Sequence, residues 1–223
     1  MGSIFDILGP VMVGPSSSHT AGAVRIGLIG RKILGRQPKR ANIYLHGSFA
    51  ATGEGHGTGR GIVAGLLGMK PDDMRIPDSY EIAETEGMEF NIEKKELRDA
   101  HPNTALMVLE ADGVAPLKIQ ACSIGGGRIR VTKLDGMDVN FSAETNTLIV
   151  YNLDQPGCVA DVANVLSRKK INIATMQLFR DKRGGYAVMV VETDQVISRQ
   201  ALDWLESMDG ILKVTFIDVA GEV

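Results

Sequence analysis

The residue types best suited to chemistry lie in three short segments of the first half of the chain. The first is GPSSSHTAG, residues 14–22, which places three hydroxyl groups and the imidazole of His19 directly before a stretch with helical spacing. Free backbone N–H groups and a partial positive charge at a helix N-terminus attract anions. This segment therefore predicts a site for the carboxylate of a substrate. The alternative is a helix cap in which one serine bonds the backbone and His19 is exposed.

The second segment is HGSFAATGEGHGTG, residues 46–59, in which His56 has glycine on both sides. We expect a loop that a substrate can approach closely, with the imidazole positioned by Thr52, Glu54 or Thr58. The ordinary pKa of histidine, about 6.5, suits proton transfer near neutral pH. The alternative is a glycine-rich loop that serves tight packing, with His56 incidental to it.

The third segment is HPNT, residues 101–104, followed further along by SIGGG, residues 123–127. Its histidine has the chemistry of a ligand or a base, and the same sequence is typical of a turn into a strand. The spacing of the four histidines in the chain matches no structural zinc pattern, and no cysteine lies near them. We therefore expect no metal ion bound by this chain alone. His46, on a predicted strand, is interpreted as structural.

Composition excludes several classes of protein. Two cysteines, Cys122 and Cys158, are too few for a disulfide-rich scaffold or for an iron–sulfur cluster held by four thiolates. Of 223 residues 44% are hydrophobic and the net charge is −3, which allows a core and gives no basic field for nucleic acid or anionic membranes. No apolar run approaches the roughly 18 residues that span a bilayer, and residues 1–13 do not resemble a signal peptide. The sequence predicts a cytoplasmic protein.

The elements that must position these segments follow from hydrophobic periodicity. Helices are predicted over residues 19–35 and 59–69, with a strand over residues 42–49 between them. A short helix near residues 71–74 leads into a polar excursion at the surface. These elements, with the strands that follow, make up a predicted domain over residues 1–143. The strands are predicted over residues 103–111, 116–123, 128–133 and 137–141.

A polar stretch at residues 142–146 separates this region from a more regular pattern. From residue 148 to residue 219 the order is strand, helix, strand, strand, helix, strand. The first helix has apolar residues at i, i+3, i+4 and i+7, while Ser198 and Gly210 bound the second. This βαββαβ order is the ferredoxin-like arrangement, in a domain over residues 147–220.

The segment NLDQPG, residues 152–157, followed by a helix and by INI, residues 171–173, resembles the ACT family of domains that sense small molecules. The resemblance implies an amino-acid effector at the loop that contains Pro156 and Gly157, and homodimerisation through this domain. The alternative is that Gly157 is only a turn residue and the domain dimerises without a ligand.

The motifs GPSSSHTAG, HGSFAATGEGHGT, HPNT and SIGGG and the trailing ACT-like region together resemble the β chains of bacterial two-chain iron–sulfur L-serine dehydratases, over essentially the whole chain. The implied fold is α+β: a mixed α/β domain, like the allosteric substrate-binding domain of some phosphoglycerate dehydrogenases, followed by a ferredoxin-like ACT domain. The implied activity is that of a lyase of amino-acid metabolism that converts L-serine to pyruvate and ammonia. The resemblance also implies an α chain as partner, and a [4Fe–4S] cluster on that α chain.

The same resemblance implies roles for individual residues. His56 is predicted to be the base that removes the α-proton of L-serine, and His19 to orient the substrate or stabilise charge, although the two roles could be exchanged. Ser17, Ser18 and Thr20 are predicted to contact the substrate carboxylate. Iron on the α chain would act as a Lewis acid on the serine hydroxyl.

Two other functions compete with this interpretation. The chain would be a non-catalytic regulatory module if its first domain senses serine or another amino acid and no residue of it enters the chemistry. An NAD-linked oxidoreductase is disfavoured, because the sequence contains no strand–GxGxxG–helix unit with an acidic residue downstream.

Overall fold

The computed structural model describes residues 11–219, apart from the side chain of Glu54. The chain forms two compact units that divide after Gly136. The expectation that residues 1–13 are not a signal peptide concerns mainly residues 1–10, which lie outside the described residues. Among residues 11–219, no helix is both long enough and apolar enough to cross a membrane.

Six α-helices and ten strands make up the described part of the chain. The helices are α1 (Gly22–Leu34), α2 (Gly47–His56), α3 (Thr58–Leu66), α4 (Ser79–Thr85), α5 (Cys158–Arg168) and α6 (Arg199–Glu206). The strands are β1 (Arg40–Leu45), β2 (Glu89–Lys94), β3 (Thr104–Glu110), β4 (Leu117–Gly125), β5 (Arg128–Leu134), β6 (Met137–Phe141), β7 (Asn146–Leu153), β8 (Ile173–Arg180), β9 (Tyr186–Thr193) and β10 (Ile211–Ile217).

Five strands of the first unit lie side by side in the order β2-β1-β3-β4-β5. Strands β1 and β2 are parallel, and the other neighbours are antiparallel. Helix α1 lies on this sheet at Gly30, where a Cβ atom would come within 3.0 Å of the side chains of Met107 and Leu109. The glycine therefore lets the helix backbone approach the β3 side chains closely.

Helices α1 and α3 cross backbone to backbone. A Cβ atom on Gly27 would collide with the carbonyl oxygen of Ile62, and one on Gly65 would collide with the carbonyl oxygen of Val24. Only glycine permits this approach, because any side chain would force the two helices apart. This crossing explains part of the high glycine content of the first half of the chain.

The second unit confirms the predicted βαββαβ arrangement. Strands β7 to β10 form a four-stranded sheet in the order β10-β7-β9-β8, and every neighbouring pair is antiparallel. Helices α5 and α6 bury their apolar faces on it, with Val162, Leu166, Ala201 and Leu205 fully buried. Ser198 is the N-cap of α6, as predicted, and its hydroxyl accepts a bond from the backbone N–H of Ala201.

The short helix predicted near residues 71–74 is not formed, and turns occupy this stretch. The carboxylate of Asp73 accepts hydrogen bonds from the backbone N–H of Arg75, at 2.9 Å, and from its guanidinium. Such a local bond competes with helical backbone bonding. Helix α4 and the edge strand β2 instead occupy part of the region that was expected to be a polar excursion.

The strand predicted over residues 42–49 is also wrong in part, because β1 ends at Leu45 and α2 begins at Gly47. The expected loop over residues 46–59 is two helices, α2 and α3. Gly57 separates them in the left-handed conformation, with φ of +68°. Glycine adopts this conformation without steric strain, so Gly57 can end α2 directly after His56.

Candidate functional site

The structure brings the imidazole rings of His19 and His56 together, although 37 positions separate them in the sequence. Their ring centroids are 5.3 Å apart and the ring planes are tilted by 50°. His56 is exposed and His19 is half-buried. Neither ring is enclosed in the apolar core.

Ser16, rather than one of the serines assigned to the substrate, caps the helix that carries His19. Its backbone is extended, and its hydroxyl accepts a bond from the backbone N–H of His19 at 3.1 Å. A π-helical turn over Ser17–Ala21 then continues into α1. The hydroxyls of Ser17 and Ser18 are half-buried and have no hydrogen-bond partner among the described residues.

One face of α2 covers His19. Ser48, Thr52 and His56 follow one another at i, i+4 and i+8, which places them in a row along one side of the helix. The Ser48 hydroxyl lies 3.0 Å from Nε2 of His19. The buried ring of Phe49 meets the His19 imidazole edge to face, with centroids 5.3 Å apart.

Thr20 has a structural contact where a substrate contact was predicted. Its side chain is only 3% exposed, and its hydroxyl donates a hydrogen bond to the backbone carbonyl of His56 at 3.1 Å. Gly14, with φ of +114°, packs tightly over this side chain. The contact holds the last residue of α2 against the start of the first helix, and so sets the position of His56.

The HPNT segment forms a turn that packs against the first residue of α2. A Cβ atom on Gly47 would come within 2.6 Å of the carbonyl oxygen of Pro102, which also accepts a bond from the N–H of Phe49 at 3.4 Å. Within the turn, Nδ1 of His101 accepts a bond from the backbone N–H of Asn103. The segment thus fixes the beginning of α2.

His46 and Ser123 complete the surroundings of α2 and α1. Nδ1 of His46 accepts a hydrogen bond from the backbone N–H of Leu97 at 3.1 Å, which fits the structural interpretation of this histidine. Ser123 is fully buried beneath Gly22, and its N–H donates to the carbonyl of Asn103. All three predicted segments therefore meet around one helix.

The surroundings of His19 favour its neutral form. Burial lowers the pKa of His19, the neighbouring imidazole of His56 lowers it further, and the contact with Ser48 opposes this change. A positive charge on a partly desolvated ring is unfavourable, and a second positive ring nearby would increase the penalty.

Among the described residues, no group of three or more histidine, cysteine, aspartate or glutamate side chains could hold a metal ion. Cys122 and Cys158 are both buried and unpaired. Burial raises the pKa of the Cys122 thiol, which disfavours the thiolate form that metals bind.

In the second unit, the predicted effector loop leads into α5. Gly157 is the N-cap of this helix with φ of +108°, no side chain caps it, and both Pro156 and Gly157 are exposed. Asp154 at the start of the loop connects it to the β8–β9 turn, because its carboxylate accepts hydrogen bonds from the N–H of Gly184 and from the guanidinium of Arg180. These bonds lower the pKa of Asp154, with the Gly184 contact the larger cause.

Two residues that contact His19, Ser48 and Phe49, were not singled out from the sequence. Both lie inside the HGSFAATGEGHGT motif, so the motif itself contained them. The signal that identifies Ser48 is its spacing of eight residues from His56, which places both on one helix face. That signal was missed because the segment was expected to be a loop.

Comparison with known proteins connects this geometry to a family. The model of the family described as "Serine dehydratase beta chain" matches residues 3–89, and that of the ACT domain matches residues 146–209. The chain is 42% identical to the "Probable L-serine dehydratase, beta chain" of Bacillus subtilis, over 96% of this chain and 97% of that protein. It is 32% identical to the "L-serine dehydratase, beta chain" of Peptoniphilus asaccharolyticus, over 97% of this chain and 98% of that one.

A more distant likeness extends to another class of enzyme. The "D-3-phosphoglycerate dehydrogenase" of Archaeoglobus fulgidus is 24% identical over 88% of this chain and 37% of its own length. The two near-full-length matches, the two family models and the three motifs gathered around α2 lead to one assignment. The chain belongs to the family of L-serine dehydratase beta chains and ends in an ACT domain.

Proposed function

We propose that this chain supplies His56 and His19 to a site that it completes with an α chain, and that the complex converts L-serine to pyruvate and ammonia. The observation that carries the proposal is the pair of imidazoles with centroids 5.3 Å apart, one exposed and one half-buried. Their difference in exposure and bonding supports different roles for them.

His56 is the base in this proposal. Its ring is exposed at the end of α2, and its nitrogens make no hydrogen bond to any described residue. A base must have a nitrogen free to accept the α-proton within hydrogen-bond reach of the substrate. Nε2 of His19 is already engaged by Ser48, and its Nδ1 lies 3.5 Å from the hydroxyl of Ser16. With Nε2 held by Ser48, His19 has Nδ1 left for the substrate, and in this proposal it orients the substrate as a neutral ring.

The substrate carboxylate is bound at the start of the first helix. Ser17 and Ser18 precede α1, and neither hydroxyl has a partner among the described residues. Their hydroxyl groups and the positive end of the helix would favour a carboxylate. Thr20 has a different role from Ser17 and Ser18, because its hydroxyl donates a hydrogen bond to the carbonyl of His56. We assign Thr20 to positioning the base.

The chemistry divides between two chains. His56 takes the α-proton and the serine hydroxyl departs from Cβ, so that the lost proton and hydroxide together make up one water. The resulting aminoacrylate then reacts with a water molecule to give pyruvate and ammonia. The described residues of this chain do not fit an iron–sulfur cluster, because they offer no group of metal ligands and both thiols are buried. We assign the [4Fe–4S] cluster and the activation of the leaving hydroxyl to the α chain, and we expect this chain alone to be inactive.

The decisive experiment reconstitutes the α–β complex anaerobically and compares His56→Ala with the native complex. Loss of a general base lowers kcat by about a hundredfold to ten-thousandfold. The matched control is His101→Asn, which removes another exposed imidazole but keeps an acceptor for the N–H of Asn103. A variant that assembles normally and changes only the dependence on serine concentration would instead support a regulatory module.

We propose in addition that the ACT domain regulates the complex. The exposed loop at Pro156 and Gly157, at the uncapped start of α5, suits the carboxylate of an amino-acid effector. The match to the ACT domain supports a homodimer formed through this domain, and the exposed side chain of Leu178 offers a position at which to test it. Calorimetric titration of native chain and Gly157→Val with L-serine and other amino acids tests the effector site. Sedimentation of Leu178→Glu tests the dimer.

A further inference from the structure

The ring of His19 is held by hydroxyl groups from two directions. Nε2 lies 3.0 Å from the Ser48 hydroxyl, and Nδ1 lies 3.5 Å from the hydroxyl of Ser16. The second distance is at the outer limit of a hydrogen bond. The Ser16 hydroxyl also accepts the backbone N–H of His19. Among residues 11–219, Ser48 therefore makes the one short contact to the ring nitrogens, and it comes from a different helix.

We propose that Ser48 is a positioning residue, whose bond to Nε2 fixes the orientation of the His19 ring. The inference rests on the proposed function, in which His19 orients the substrate. A neutral imidazole has one donor and one acceptor nitrogen, and a serine hydroxyl can donate or accept. The bond can therefore form with Nε2 in either state, and it holds the ring in place in both.

Ser48 can hold the ring because its own position is fixed. Its backbone carbonyl accepts a bond from the hydroxyl of Thr52 at 2.9 Å. On either side of it, Gly47 lies against Pro102 and the N–H of Phe49 bonds to the same residue. The Phe49 ring restricts the imidazole from its edge. The hydroxyl is thus presented to His19 by a short, well-packed first turn of helix.

The two ends of α2 are tied to consecutive residues. The side chain of His19 bonds Ser48 at the start of the helix, and the side chain of Thr20 bonds the carbonyl of His56 at its end. Removal of the Ser48 hydroxyl releases one tie and leaves the other. The placement of the His19 ring should then change while His56 stays in position.

Nitrogen NMR of the ¹⁵N-labelled full chain tests the proposal directly. The two ring nitrogens of His19 are assigned in native protein with a His19→Gln variant. In Ser48→Ala their shifts should change, because Nε2 loses its short hydrogen bond, and Ser48→Thr, which keeps the hydroxyl, should restore them. Thr85→Ala, which removes an exposed hydroxyl on α4, is the matched control and should leave them unchanged.

Activity of the reconstituted α–β complex gives a second measurement. Loss of one neutral hydrogen bond that orients the ring should lower kcat by about tenfold, and Ser48→Thr should recover most of it. If Ser48→Ala does not fold, Ser48→Cys, whose thiol is a weak hydrogen-bond group, should show the same NMR change. Native ¹⁵N shifts in a folded Ser48→Ala or Ser48→Cys chain would overturn the proposal.

The outcomes separate this inference from the proposed function. If His19→Gln and His56→Ala both leave kcat unchanged, the proposed function fails, whatever the NMR spectra of Ser48→Ala show. If those two variants inactivate the complex while Ser48→Ala leaves both kcat and the ¹⁵N shifts of His19 unchanged, only the role of Ser48 is wrong.

Discussion

The two units of the chain are stabilised in different ways. In the first, helices α1 and α3 touch through glycines whose added Cβ atoms would strike backbone of the opposite helix. In the second, α5 and α6 bury ordinary apolar side chains on a sheet. A backbone crossing tolerates no added atom, whereas a side-chain core is sensitive mainly to lost volume. The unit that carries the histidines therefore has the tighter steric constraint.

Enlargement of a glycine at the helix crossing should produce the largest effect. We expect Gly65→Val to destabilise the first unit by about 3 kcal/mol or more, because overpacking against backbone cannot be relieved by a side-chain rotation. Circular dichroism during urea unfolding measures the loss. The single tryptophan, Trp204 in α6, reports the second unit, and its fluorescence transition should stay in place.

Gly55→Ala is the matched control for that variant. Gly55 lies in α2, and a Cβ atom there would meet nothing within 4 Å. Alanine should therefore stabilise the helix by about 0.5–1 kcal/mol through its higher helix propensity. A similar loss of stability in both variants would show that the glycines are not distinguished by the crossing.

Removal of a buried side chain should destabilise the second unit, which has a core of apolar side chains. Leu166→Ala in α5 removes a fully buried side chain, and we expect a loss of about 2–5 kcal/mol in the unfolding of the second unit. The Trp204 transition should shift to lower urea. Val196→Ala, at a position 56% exposed, should change it by less than about 0.5 kcal/mol. Equal shifts from both variants would contradict the picture of a side-chain core.

A comparison of the two serine N-caps, Ser16 and Ser198, separates an effect on stability from an effect on activity. Ser16 and Ser198 each cap a helix through the side chain, and replacement of either by alanine should cost about 1 kcal/mol. Only Ser16→Ala should also lower kcat of the reconstituted complex, because the Ser16 hydroxyl bonds the backbone N–H of His19. The comparison would fail if Ser198→Ala lowered kcat as much as Ser16→Ala.

The smallest expected effect is a pH dependence confined to the first unit. The pKa of His19 is lowered in the folded chain from its ordinary value of 6.5. As pH falls below that value, the unfolded chain takes up a proton that the folded chain resists, so stability is lost. Urea midpoints at pH 7.5 and pH 5.5 should differ less in His19→Gln than in native chain. The same difference in both would mean that His19 does not contribute.

Local pattern predicted the second unit almost completely. Its helices have regular apolar spacing, its turns have glycine, and its strands alternate, so each element is indicated by residues within it. The family resemblance of the motifs was confirmed for the same reason, since the motifs are contiguous in sequence. The identities of His19 and His56 as candidate site residues came from the chain alone.

The tertiary structure decided what those residues can do. Helix α2 was expected to be a loop because its glycines obscure the period. With the helix formed, Ser48, Thr52 and His56 share one face. The bond from Ser48 to His19, and the commitment of Thr20 to the carbonyl of His56, join positions 29 and 36 residues apart. Local preference cannot encode such pairings, because they depend on where packing brings distant backbone together.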